Sequence, residues 1–230
     1  MKQLQSKQLF FEATKSSGKV SALLMKPGDA SCLLVFAHGA GADMRHPFME
    51  SISGGLAARG IASLRYQFPY TEKMMRRPDP QPVLLATVRS AIAFAAGVSD
   101  GLPLLAGGKS MGGRMTSLAE AEGPLPGVRG IVFFGFPLHP SGAPSTKRAE
   151  HFASVQVPML FLQGTRDALA DLSLLRPVCE GLGNRSTLII IDEADHSFDV
   201  PKRTGKSPAA AIAELADAVA AWSMRVTGSR

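Results

Sequence analysis

The stretch Gly107-Gly108-Lys109-Ser110-Met111-Gly112-Gly113 constrains this chain more than any other. It stands between an apolar run, Leu102 to Ala106, and a segment with helical character, Met111 to Ala121. Gly108, Ser110 and Gly112 fit G-x-S-x-G, the pattern of a strand turning sharply into a helix with a serine on the turn. The glycines are a steric requirement, because no side chain fits where strand and helix backbones crowd together. Ser110 is therefore the candidate nucleophile, and Gly108 and Gly112 form the elbow that presents it. Gly108-Lys109-Ser110 also matches the close of a phosphate-binding loop. That loop needs a glycine where this chain has Pro103, inside an apolar run with no room for a phosphate cradle.

The segments around the elbow alternate between strand and helix patterns. Leu9 to Ala13 and Val20 to Lys26 read as strands around the Ser16-Ser17-Gly18 turn. Cys32 to Ala37, Ile61 to Phe68, Val128 to Phe136, Val157 to Gln163 and Ser186 to Ile191 are apolar runs of the kind buried on both faces of a parallel sheet. Pro47 to Arg59, Val83 to Ala96, Leu169 to Leu182 and Ala209 to Val226 read as helices, with Pro177 expected to kink or split the third. Tyr66 to Pro82, with four prolines between Pro69 and Pro82, is too broken for a regular element and reads as a functional loop. The alternation predicts an α/β fold over residues 1–230: a single domain with a mostly parallel central sheet and helices on both faces.

Composition narrows the classes. A chain of 230 residues, 45% hydrophobic and 19% charged, is globular and long enough for a full core. Cys32 and Cys179 lie far apart without ligand spacing, as in a reduced cytosolic protein. Met1 to Lys7 is polar and no apolar run reaches membrane-spanning length, so a cytoplasmic protein with no membrane partner is expected. The net charge of +6 is scattered, and no aromatics interleave with a basic stripe, which argues against nucleic acid. The oligomeric state is open.

In an open α/β sheet, functional groups gather beyond the carboxyl ends of the strands. Here such ends carry His38-Gly39-Ala40, Ser110, Asp167 and His196. Serine, acid and histidine follow the chain order Ser, Asp, His. A serine hydroxyl needs a base to take its proton, and His196 is placed to do so. Asp167 would hold the imidazole tautomer and stabilise the imidazolium. The backbone N–H groups of Met111 and Ala40 would bind the oxyanion. Asp195, next to His196, cannot readily turn back onto that ring. His38 is expected to order the glycine loop and His46 to start a helix, while His139 and His151 follow another strand. Asp192, Glu193, Asp195 and His196 lack metal-ligand spacing, so no metal is expected. Gly39-Ala40-Gly41 fails as a dinucleotide fingerprint because Met44 stands at the third glycine position. Lys109 has no role in the elbow pattern.

On His38-Gly39-Ala40-Gly41, Gly108-Lys109-Ser110-Met111-Gly112-Gly113, Gly164-Thr165-Arg166-Asp167 and Asp195-His196, the chain resembles the α/β-hydrolase superfamily. It is most similar to the lid-poor, dienelactone-hydrolase-like branch, and within it to an uncharacterised hydrolase-like group. Phe68-Pro69-Tyr70-Thr71-Glu72-Lys73 and Arg77-Pro78-Asp79-Pro80 add to that likeness. Dienelactone hydrolases carry a cysteine nucleophile where this chain has Ser110, so their substrate does not transfer. The resemblance implies cofactor-free hydrolysis of an ester, thioester or amide bond of a small-molecule acyl substrate. The alternatives are a binding or scaffold protein with a vestigial triad, and an acyltransferase using the same acyl-enzyme. The Tyr66 to Pro82 and Pro137 to Ser145 loops are expected to close the pocket. Arg76, Arg77 and Tyr70 would then stand at its rim, where the arginines would attract a carboxylate or simply face water.

Overall fold

The structure, a computed structural model, describes residues 5–228. Of the polar stretch Met1 to Lys7, the first four residues lie outside the described residues. The strands are β1 Lys7–Thr14, β2 Gly18–Met25, β3 Cys32–Ala37, β4 Ile61–Tyr66, β5 Leu104–Lys109, β6 Val128–Phe134, β7 Met159–Gly164 and β8 Ser186–Ile191. They form one eight-stranded sheet in the order β1-β2-β4-β3-β5-β6-β7-β8. β2 pairs antiparallel with β1 and β4, and every pairing from β4 to β8 is parallel. This is the mostly parallel α/β sheet that the alternation predicts.

The helices are α1 Pro47–Ala57, α2 Pro69–Glu72, α3 Gln81–Val98, α4 Met111–Glu122, α5 Leu172–Gly181 and α6 Pro208–Thr227. β3, β4 and β7 are buried at every position because helices cover both faces. Along β3, Leu33, Val35 and Ala37 pack with residues of α3 and α4, while Leu34 and Phe36 pack with residues of α1 and α6. The period-two alternation of a strand thus serves two cores at once. Burial of this kind contributes about 25 cal/mol per Å² of apolar surface, and these strands are buried along their whole length.

Several boundaries differ from the sequence expectation. β5 runs on through Gly107, Gly108 and Lys109, because β3 and β6 on either side hydrogen-bond those residues into the ladder. The proline-rich segment contains a regular turn of helix, α2. Pro69 heads it, where the missing N–H costs nothing. Glu72 of α2 accepts from the N–H and the hydroxyl of Ser21, both at 2.8 Å, which ties the segment to β2. Pro177 lies inside α5 without dividing it. A 3-10 helix, Lys147–Ser154, has no counterpart in the sequence pattern. Among the described residues, α3 is the one helix long and apolar enough to cross a membrane. Its Leu84, Leu85, Val88 and Ile92 pack into the core beneath the sheet.

The parallel strands end at one level. Ala37 lies opposite Gly108, Lys109 opposite Phe134, and Gly164 opposite Ile191. The elbow can reach that edge only because α4 crosses bare backbone. A Cβ on Gly108 would stand 2.6 Å from the Ala37 carbonyl oxygen, and one on Gly112 would stand 2.5 Å from the same atom. We expect Gly112→Ala to destabilise the fold by about 1–3 kcal/mol, the usual cost of overpacking. Urea unfolding measures it, and an unchanged midpoint would contradict the close crossing.

Candidate active site

Ser110 joins β5 to α4 with φ 50° and ψ −116°. A non-glycine residue seldom adopts such a backbone, and holding it there costs on the order of 1–3 kcal/mol. Both backbone polar groups of Ser110 are engaged. Its N–H donates to the Phe134 carbonyl at 3.2 Å, and its carbonyl accepts from Arg114 N–H at 3.1 Å. The hydroxyl is thereby lifted above the sheet edge.

His196 and Asp167 meet it there. His196 Nε2 lies 2.9 Å from Ser110 Oγ, and His196 Nδ1 lies 2.7 Å from Asp167 Oδ2. A carboxylate only accepts, so Nδ1 carries the proton and Nε2 is left to accept from the serine hydroxyl. The Asp167 side chain is fully buried, while that of His196 keeps 24% of its surface exposed. Asp167 Oδ1 accepts from Leu169 N–H at 2.8 Å, and the Gln163 amide donates to Oδ2. Gln163 in turn accepts from Phe136 N–H at 3.0 Å. The sequence reading missed Gln163; the signal available was a polar residue at a buried strand position near the acid.

The loops carrying Asp167 and His196 are joined to each other. Arg166 N–H donates to the Ala194 carbonyl at 2.9 Å, and Glu193 N–H to Thr165 Oγ1 at 2.8 Å. Asp195 instead shapes its own loop, accepting from Ser197 and Asp199 N–H groups. Met111 heads α4, where the first N–H groups have no partner within the helix. Ala40 lines the same groove as Ser110, and Gly39 is so close that a Cβ there would lie 3.6 Å from Ser110 Cβ. Among the described residues no three His, Cys, Asp or Glu side chains gather as metal ligands.

A family model described as an alpha/beta hydrolase domain matches residues 30–224. The chain belongs to the α/β-hydrolase family. Solved structures share its fold over nearly the whole length. A dienelactone hydrolase from Anabaena variabilis superposes with a TM-score of 0.74 at 21% identity, covering 97% of this chain and 99% of the other. An esterase domain from a Rhodothermus marinus protein gives 0.74 at 18% identity, with 97% and 100% covered. A serine hydrolase without a lid from Xanthomonas campestris gives 0.70 at 18% identity, with 96% and 94% covered.

In this α/β-hydrolase, Lys109 reaches across the elbow and donates to the His196 backbone carbonyl. Its ammonium lies 5.7 Å from the Phe48 ring centroid and 5.4 Å from that of Phe198. Burial lowers its pKa to about 8, against the opposing pull of Asp167 and Asp195. Lys109 therefore pins the histidine loop from behind. Phe48 and Phe198 stack at 5.7 Å and wall a groove of about 510 Å³ that opens beside Ser110, with Met49, Pro208 and Ile212 completing its apolar side.

The expected rim is corrected. Tyr70 is buried within the core, and burial pushes its phenol up to about 12. Arg76 is exposed and lines a neighbouring hollow with Tyr70 and Met75, not the groove of Ser110; Arg77 is exposed and lines neither. The reason is α2, which folds Tyr66 to Pro82 down onto β2. The Pro137 to Ser145 loop likewise contributes nothing to the groove, whose walls come from α1, α6 and the loop after His196.

The remaining histidines have structural partners. His46 caps α1, accepting from Phe48 N–H at 3.3 Å. His139 bridges the Pro140 carbonyl and Asp171 N–H. His151 pairs with the Ser117 hydroxyl at 2.7 Å, tying the 3-10 helix to α4. His38 pairs through Nδ1 with the Gly39 carbonyl at 2.9 Å, while Nε2 accepts from Phe68 N–H at 3.3 Å, so it does order the glycine loop. Burial lowers both His38 and His151 from 6.5 to about 4. The unfolded chain therefore takes up these protons near pH 6.5, and the folded chain only near pH 4. Their contribution is complete above that window and is lost as pH falls through it. Each histidine should add up to about 1.4 kcal/mol per pH unit to the slope. Unfolding free energies at pH 7 and pH 5 measure this, and the slope should be shallower in His151→Asn; an unchanged slope would contradict it.

Proposed function

We propose that this α/β-hydrolase is a serine hydrolase cleaving an ester, thioester or amide bond of a small molecule through an acyl-enzyme on Ser110. The hydrogen-bonded run from Ser110 through His196 to Asp167, at 2.9 and 2.7 Å, carries the proposal. His196 Nε2 takes the hydroxyl proton as Ser110 Oγ attacks the substrate carbonyl carbon. Asp167 stabilises the imidazolium that results. The negative charge on the carbonyl oxygen falls to the Met111 and Ala40 N–H groups; losing one such donor costs about 2.7–4 kcal/mol. His196 then protonates the leaving group, which departs and leaves the acyl-enzyme. A water, deprotonated by His196, attacks the acyl carbon and restores Ser110. Every step uses side chains and backbone of this chain, and none calls on a cofactor.

The apolar groove walled by Phe48 and Phe198 suits an acyl or aryl group. The esterase domain and the dienelactone hydrolase that share the fold support ester chemistry over transfer to another acceptor. Ser110→Ala should lower turnover of p-nitrophenyl acetate at least about 10⁴-fold. Asp167→Asn should lower it by about 10⁴-fold while leaving the fold intact. A fluorophosphonate should modify Ser110, read by mass spectrometry of the peptide. Full activity in Ser110→Ala, or an adduct elsewhere, would overturn the assignment.

A further inference from the structure

Two consecutive residues hold His196 at two points. Ser110 meets its ring, with Oγ 2.9 Å from Nε2. Lys109, the last residue of β5, donates from Nζ to its backbone carbonyl. The two contacts fit together because Gly135 has no side chain. A Cβ there would stand 3.2 Å from Lys109 Nζ and 3.4 Å from His196 Nδ1. Ammonium and imidazole thus share the space over one bare backbone position.

Packing alone does not call for a lysine here. A methionine side chain has nearly the same length and would fill the space without a charge. Among the described residues, no carboxylate makes an ion pair with Lys109. Its ammonium instead meets the His196 carbonyl and the rings of Phe48 and Phe198, at 5.7 and 5.4 Å. Such contacts offset only part of what desolvating a cation costs. Asp167 and Asp195 favour the charged form, but burial outweighs them and sets the pKa at about 8. His46 and Asp199 line the same groove as Lys109. A group so placed is charged at neutral pH and loses its proton to solvent not far above it. The neutral amine keeps a weaker hydrogen bond and no electrostatic attraction to the rings.

We propose that Lys109, as an ammonium, is a positioning residue that keeps His196 aligned on Ser110, and that turnover requires its proton. It touches neither substrate nor reacting atoms. The effect on turnover rests on Ser110 and His196 being nucleophile and base, whereas the hold on the histidine loop does not.

Three measurements test it. With p-nitrophenyl acetate, kcat should fall as pH rises through about 8 while KM stays level. In Lys109→Met, kcat at pH 7 should be about tenfold lower or less, as expected for losing a charged hydrogen bond, and its alkaline fall should vanish. That variant should unfold at no lower temperature, since a buried charge is removed. In Lys109→Ala, n-propylammonium should speed fluorophosphonate labelling of Ser110, and n-propanol should not. Amide hydrogen exchange over 195–199 should quicken in Lys109→Met and stay unchanged elsewhere. Ester cleavage with kcat unaltered in Lys109→Met would overturn the inference and leave the hydrolase reading standing. So would a loss of kcat matched by a loss of stability, equal rescue by propanol, or unaltered exchange over 195–199. Quickened exchange in Lys109→Met, in a protein that neither cleaves the ester nor takes the label, would sustain the hold on His196 and defeat the hydrolase reading.

Discussion

Two carbonyl oxygens hold this site's geometry. Those of Ala37 and His38, at the end of β3, lie where side chains on Gly108 and Gly112 would otherwise stand. Because neither glycine has a Cβ, α4 comes down onto the end of β3, and its first residue follows Ser110 without a connecting loop. The left-handed backbone at Ser110 is what remains once strand and helix are fixed that close together. Dispersion and burial around the crossing hold the strain, and the buried, neutral His38 keeps the adjoining glycine loop in one shape.

Around that crossing the polar groups are arranged as one connected set. Asp167 is buried and would be costly alone, yet its two oxygens take bonds from His196, Gln163 and Leu169. Lys109 adds a cation that touches the histidine loop rather than the reacting atoms. A single imidazole is thus held at its ring by Asp167 and at its backbone by Lys109. On the proposed mechanism, fixing the imidazole from two directions lowers the reorganisation needed when it takes a proton.

The helices on one face of the sheet build the groove beside Ser110. α1 and α6 bring Phe48, Pro208 and Ile212 on one face, which makes an apolar groove. The proline-rich segment is not available for closure, since α2 and Glu72 fasten it to β2.

The amino-acid sequence by itself determined the sheet's strands and the elbow, and it singled out Ser110, Asp167 and His196, whose side chains the structure brings together. Each depends on local chemistry: apolar runs buried on two faces, glycines where backbones cross, reactive residues at strand ends. Only the tertiary structure decided what Lys109 does, because its partner His196 lies 87 residues away and is met through a backbone atom that no side-chain pattern records. Gln163 escaped notice for the same reason, as did the groove walls Phe48 and Phe198, which come from separate elements. Arg76, Arg77 and Tyr70 show the converse. Their residue types suited a pocket rim, but a short helix turned Tyr70 inward and left the arginines to solvent. Charge and size can be read along a chain, whereas which charges face each other is settled by how the helices pack.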